Sequence, residues 1–218
     1  MTALNDELLH ALQEFERVGL AHGIEGFRIL APGITASEVE DTLGTLGITP
    51  HPDLLTYYTW HNGYHPPQLI NGRLGFPGIK DGSLFVTLGA MSLDFARRIY
   101  EALGLGRDEP FTCYWPILGD SLCQIVLNCS THGPDTGTVQ IFDNVSDFEG
   151  YDPAPNLLTI IKWWTHWIDT RHIRYGGGPY QNAWDNDLTP DTLTPLQRAT
   201  GMAFTLPEIQ TGLPPENL

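Results

Sequence analysis

Two histidines four residues apart, His61 and His65 in the stretch WHNGYH, are the first candidates for chemistry. A His-x-x-x-His pair binds zinc when a helix sets both imidazoles on one face. Asn62-Gly63 and Pro66-Pro67 interrupt any such helix, because Asn-Gly favours positive φ and proline lacks an amide donor. The stretch therefore predicts a tight turn after a helix, with Trp60 anchoring the helix end and His61 and His65 open to solvent or a partner. His51 lies nearby without completing a ligand set. Cys113, Cys123 and Cys129 form no C-x-x-C pair, and each reads as a small buried hydrophobe on or beside a strand. Asp143, Asp147, Glu149 and Asp152 form an acidic run without the Asp-x-Asp-x-Asn-Gly spacing of a calcium loop. It reads as a solvated loop whose carboxylates, with His61 and His65, are candidate contacts for a basic partner. No P-loop, GxGxxG or basic aromatic stripe is present, so neither phosphate cradling nor nucleic-acid binding is supported, and no metal or cofactor is expected.

Gly119-Asp120-Ser121-Leu122 resembles the serine motif of the GDSL-type esterases and lipases, and Asp169-Thr170-Arg171-His172 resembles their Asp-x-x-His pair. That likeness implies Ser121 as nucleophile, His172 as base and Asp169 as the carboxylate that orients it. Three features oppose it. Half the chain precedes the serine, which in that family follows the first strand. The intervening segment is too short for repeated βα units, and no Gly-x-Asn-Asp block supplies oxyanion donors. The bland alternative is a hairpin turn at Gly119-Asp120-Ser121 between two strands, since four-residue matches arise by accident.

Bulk composition bounds the remaining options. The 218 residues suffice for one sizeable core plus an extension, and 41% hydrophobic content argues against wholesale disorder. The 23 glycines and 17 prolines predict many turns. No apolar run approaches the ~20 residues of a membrane span, and the acidic N-terminus does not read as a signal peptide. The expectation is a cytoplasmic protein with reduced thiols, in which the sequons at Asn128 and Asn144 are chance matches. Twenty-six acids against eleven Lys and Arg give a net charge of −15. Such a field repels nucleic-acid phosphates and anionic membranes and attracts basic partners.

The elements that must position these groups follow from periodicity. Leu4, Leu8, Leu12 and Phe15, with Leu9 and Val18, predict an amphipathic helix ended by Gly19. Thr35 and Glu38 fit a capping box ahead of a short helix bearing Val39, Leu43 and Leu46 and closed by Gly47. Pro52 and Asp53 suit the first turn of a helix that points Leu54, Leu55 and Tyr58 inward. Residues 63–82 are turn-laden, and SLFVTLGAM is a strand candidate. Ser92 caps a helix to about Leu103 with Leu93, Ala96, Ile99 and Tyr100 apolar. FTCYWPIL, CQIVLNCS and GTVQIFDNV predict an antiparallel meander. Asn156 opens the longest predicted helix, stopped by the triple glycine 176–178. Its Trp164 and Trp167 face the sheet, with Trp163 at the edge. Residues 179–218 read as a Pro- and Thr-rich extension. The whole is an α+β domain, an antiparallel sheet flanked by helices, over residues 1–178.

In order, these pieces resemble the SUKH superfamily, which includes the yeast cell-wall-assembly regulator and many bacterial immunity proteins. The residues that carry the likeness are Leu46-Gly47, Pro52-Asp53-Leu54, Trp60, Asn62-Gly63, Trp115-Pro116, Gly137-Thr138-Val139 and the helix from Asn156, over about residues 30–172. Leu43 stands where the family often has an acid, Pro50-His51-Pro52 is looser than Leu-Pro, and DSLCQIVLN lacks the usual glycine. The resemblance implies a binding module that covers a cognate toxin, often a nuclease or other effector domain, or a regulatory scaffold like the yeast member. The negative charge independently fits a toxin with a basic cleft.

Overall fold

The computed structural model describes residues 4–65, 68–70, 73–75, 89–104, 111–119, 123–143, 153–171, 173–175 and 184–186. Helix α1 (Asp6–Ala21) starts at Asn5, whose side chain accepts the Leu8 N–H at 3.1 Å. It buries Leu8, Ala11, Leu12, Phe15, Val18 and Gly19, whereas Leu4 is exposed. Gly19 does not end this helix, contrary to the sequence expectation. It is packed so tightly that a Cβ there would meet Phe27, and the chain turns instead at Gly23, with φ +80°. Ile24 N–H bonds to Gly19 O and Gly23 N–H to Leu20 O, satisfying carbonyls that the helix end leaves free.

A short 3-10 turn (Glu25–Ile29) leads into β1 (Leu30–Pro32). Helix α2 (Ala36–Gly44) carries the expected capping box. Glu38 N–H donates to Thr35 Oγ1, and Thr35 N–H donates to Glu38 Oε2 at 2.8 Å. The Thr35 hydroxyl, which donates to Glu38 Oε2 at 2.7 Å, and after it the Thr35 N–H hold the Glu38 carboxyl below its usual range. Helix α3 (Pro52–Trp60) has proline in its first turn and buries nearly every residue. It lies between α1 and α2 and carries few polar positions for that reason.

Beyond α3 come β2 (His61–Tyr64), β3 (Gln68–Ile70) and β4 (Arg73–Gly75), the last two paired antiparallel within the stretch read as turns. Of the SLFVTLGAM strand, β5 (Gly89–Ala90) is described, and its first six residues lie outside the described residues. Helix α4 (Leu93–Leu103) is capped by Ser92 and ends at Gly104 as expected. Strands β6 (Tyr114–Gly119), β7 (Cys123–Asn128) and β8 (Val139–Asp143) complete an antiparallel sheet in the order β5-β6-β7-β8. The β6–β7 register shifts between Pro116 and Leu118, where proline has no N–H for the ladder.

Helix α5 (Leu157–Asp169) follows, with Asn156 Oδ1 accepting the Thr159 N–H at 2.8 Å. Two expectations fail here. The helix has 13 residues against 16 in α1, and it stops at Asp169 rather than at the triple glycine. Arg171 takes φ +62°, and β9 (Ile173–Tyr175) pairs antiparallel with β10 (Trp184–Asn186). Strand pairing across the extension thus overrides the helical periodicity of IDTRHIRY. Trp163 is as fully buried as Trp164 and Trp167, and the main partner of α5 is α1 rather than the sheet. Phe15 meets Trp164 with ring centroids 6.1 Å apart. Burying a tryptophan removes 150–250 Å² from water, about 4–6 kcal/mol at ~25 cal/mol per Å² before entropy is charged. Buried apolar residues from all five helices and the four-stranded sheet form a single cluster. The architecture is α+β. Among the described residues no helix is long and apolar enough to cross a membrane.

Candidate functional site

Within the WHNGYH stretch, His61–Tyr64 form a strand, not a turn. Helix α3 closes at Trp60, and His61 is extended at φ −150°, ψ 140°. Strand β2 then pairs antiparallel with β1, Pro32 opposite His61 and Leu30 opposite Tyr64, with a register shift between. Gly63 does have the positive φ that Asn-Gly favours, +62°, but uses it inside the strand. Its backbone abuts Met91 and Ser92, so a Cβ at Gly63 would sit 2.1 Å from the Ser92 nitrogen. Asn62 Oδ1 accepts the Leu93 N–H at 2.8 Å, satisfying a donor in the first turn of α4. A positive φ serves a bulge or a close backbone approach as readily as a turn, and the local dipeptide does not distinguish them.

His61 is correspondingly half-buried rather than open to solvent. Its Nδ1 lies 2.9 Å from the Ala31 carbonyl oxygen and its Nε2 3.2 Å from Glu16 Oε2, leaving the side chain 22% exposed. Trp60 packs edge-on against the ring at 4.6 Å and donates its Nε1–H to the same Glu16 oxygen at 3.1 Å. His65 is exposed, as expected, and its N–H bonds to Ile29 O at 2.9 Å.

A second polar cluster joins the N-termini of α1 and α3. Asp53 is buried, with its Oδ1 accepting from Asn5 Nδ2 at 2.8 Å. Asn5 N–H donates to Thr56 Oγ1 at 2.8 Å, and that hydroxyl donates to Pro52 O. His51 caps α3 through Nδ1, which accepts the Asp53 N–H at 3.2 Å. The His51 backbone N–H also reaches Cys129, the buried thiol at the end of β7. Burial outweighs that bond, which acts in the opposite direction, and pushes the Cys129 thiol up to about 12. Cys113 and Cys129 are both free, Cys129 buried as expected and Cys113 half-buried. The Cys123 side chain lies outside the described residues. Family-motif residues Leu54, Trp60 and Trp115 are core. Trp115 donates to the Tyr58 hydroxyl at 3.1 Å deep in the interior, and Pro116 marks the bulge of β6. Leu46 is partly buried and Gly47 follows at φ +75°.

The remaining candidates are not brought together. His51 and His61 stand at opposite ends of α3, about 15 Å apart at ~1.5 Å per residue. Among the described residues no group of three His, Cys, Asp or Glu could hold a metal ion. Asp143 ends β8, and Asp147, Glu149 and Asp152 lie outside the described residues. Ser121 and His172 lie outside them too. Asp169 ends α5, exposed, with His22 Nε2 3.7 Å away. Sequence reasoning missed Glu16 and Asn5. Apart from the Leu8 N–H that Asn5 caps, their partners are more than forty positions away, and no local pattern signals such contacts. No protein-family model matches the chain, and no curated protein matches it.

Proposed function

We propose that this chain is a non-enzymatic binding protein of the SUKH kind, an immunity protein that neutralises a cognate bacterial toxin in the cytoplasm by covering its surface. The observation that carries the reading is the order of the elements. Capped α2 leads through Leu46-Gly47 to the proline-led α3 and Asn62-Gly63, and the sheet and the closing helix α5 follow. Charge supplies the chemistry of the partner. The chain carries −15, and from Arg28 to Arg73 it has no Lys or Arg between. Helix α2, within that interval, presents Glu38 and Asp41 to solvent and Glu40 half-exposed. A basic cleft such as a nuclease uses to grip phosphate is steered toward this field, and the attraction fades with salt.

The test is stopped-flow association with the effector encoded beside this gene, at low and high salt. A complex that forms at low salt, associates more slowly as salt rises and suppresses the effector's activity is the expected result. Absence of a complex at low salt refutes the reading.

A further inference from the structure

Cys113 and Cys129 lie opposite each other where the β6–β7 pair ends. The register sets Trp115 opposite Leu127 and Tyr114 opposite Asn128, and one further step brings Cys113 to Cys129. A backbone bond closes that step, the Cys129 N–H donating to Cys113 O at 2.7 Å. Residues so placed in an antiparallel pair stand about 4.5–5.5 Å apart at Cα. A disulfide spans about 4.4–6.8 Å between the same atoms. The side chains are neighbours as well. Tyr100, whose hydroxyl donates to Thr112 O at 2.7 Å, is raised by burial first and then by Cys113 and Cys129, and Cys113 adds to the burial that raises Cys129. Both thiols are free, Cys129 2% exposed and Cys113 half-buried. An oxidant from solvent therefore reaches Cys113 first.

We propose that Cys113 and Cys129 are a peroxide-responsive pair that closes as a disulfide between the ends of β6 and β7. The Cys113 sulfur attacks one oxygen of hydrogen peroxide, the O–O bond breaks, and the departing hydroxide takes the thiol proton as water. Cys113 is then a sulfenic acid. The Cys129 sulfur attacks the Cys113 sulfur, the S–O bond breaks, and hydroxide leaves with the Cys129 proton as a second water. Together the two sulfurs give up two electrons to one peroxide. The second step is the slower, because buried Cys129 holds its proton and a thiolate is the better nucleophile. Its placement opposite Cys113 offsets this by making the attack intramolecular. Closure fixes the 3-10 turn Phe111–Cys113 to the end of β7, beside the His51 cap of α3.

The test treats the full native chain with hydrogen peroxide, with circular dichroism of the same sample reporting the fold. Digestion without reductant by Asp-N and chymotrypsin, cutting at Asp120 and Leu127, puts the three cysteines on separate peptides for mass spectrometry. The expected product is a Cys113–Cys129 linked peptide that dithiothreitol separates. Dimedone present from the start is expected to trap Cys113 and abolish the link. In Cys129→Ser the link is lost, and Cys113 carries the dimedone adduct or higher oxides. A wild-type Cys113 driven to sulfinic acid beside an unmodified Cys129 overturns the pair. So does a link through Cys123, a link that forms only after unfolding, or no oxidation of either thiol.

Discussion

Replacing Gly63 by alanine tests the junction at which β2 meets α4. The new Cβ would lie 2.1 Å from the Ser92 nitrogen and 2.4 Å from the Met91 carbonyl carbon, both backbone atoms, at φ +62°. Holding an L-residue at positive φ costs about 1–2 kcal/mol. Forcing extra volume against a packed backbone adds about 1–3 kcal/mol. The sum, about 2–5 kcal/mol, lowers the melting temperature by roughly 4–20 °C for a chain of this size. Two further glycines separate the contributions. Gly23 has φ +80° but nothing within 4 Å of an added Cβ, so Gly23→Ala carries the backbone strain alone, about 1–2 kcal/mol. Gly44, the last residue of α2, also faces open space and has no positive φ, so Gly44→Ala gains up to about 0.5–1 kcal/mol. Thermal and urea unfolding followed by circular dichroism should rank the three as Gly44→Ala above wild type, then Gly23→Ala, then Gly63→Ala. A Gly63→Ala protein melting within about 2 °C of Gly23→Ala would refute the close approach of β2 to Met91 and Ser92.

Other outcomes follow from the same contacts. Asn5→Ala removes the cap of α1 and the donor to buried Asp53, and should cost about 2–4 kcal/mol in urea unfolding. Ser92→Ala, which removes a cap alone, should cost about 1 kcal/mol. Cys129, buried and with its thiol pushed up to about 12, should stay unmodified by iodoacetamide at neutral pH in the native protein while Cys113 reacts, as read by peptide mass spectrometry. Burial raises the Tyr57 and Tyr58 hydroxyls, in Tyr58 despite the Trp115 hydrogen bond. Their contribution to stability is therefore whole below the ordinary tyrosine value of 10.0 and is lost as pH rises above it. An ultraviolet titration should show these two ionising only with unfolding.

The chain itself determined the features that a few neighbouring residues set. Thr35 with Glu38, Ser92 and Asn156 each cap a helix through bonds spanning three residues, and Pro52 suits a first turn wherever the helix lies. Short apolar runs bounded by turn residues were enough to place the three strands of the meander, because strands such as β6 and β7, buried on both faces, need apolar residues at successive positions. Tertiary structure decided everything that required a distant surface. Gly19 stays helical because Phe27 packs on it, and IRY becomes a strand because residues 184–186 pair with it. The candidate site divides the same way. Asn62-Gly63 encoded a positive φ but not its use, and His61 read as exposed until Glu16 and Ala31, 45 and 30 positions away, closed over it. Backbone preference is a property of adjacent atoms. Burial and protonation belong to neighbours that only the folded chain supplies.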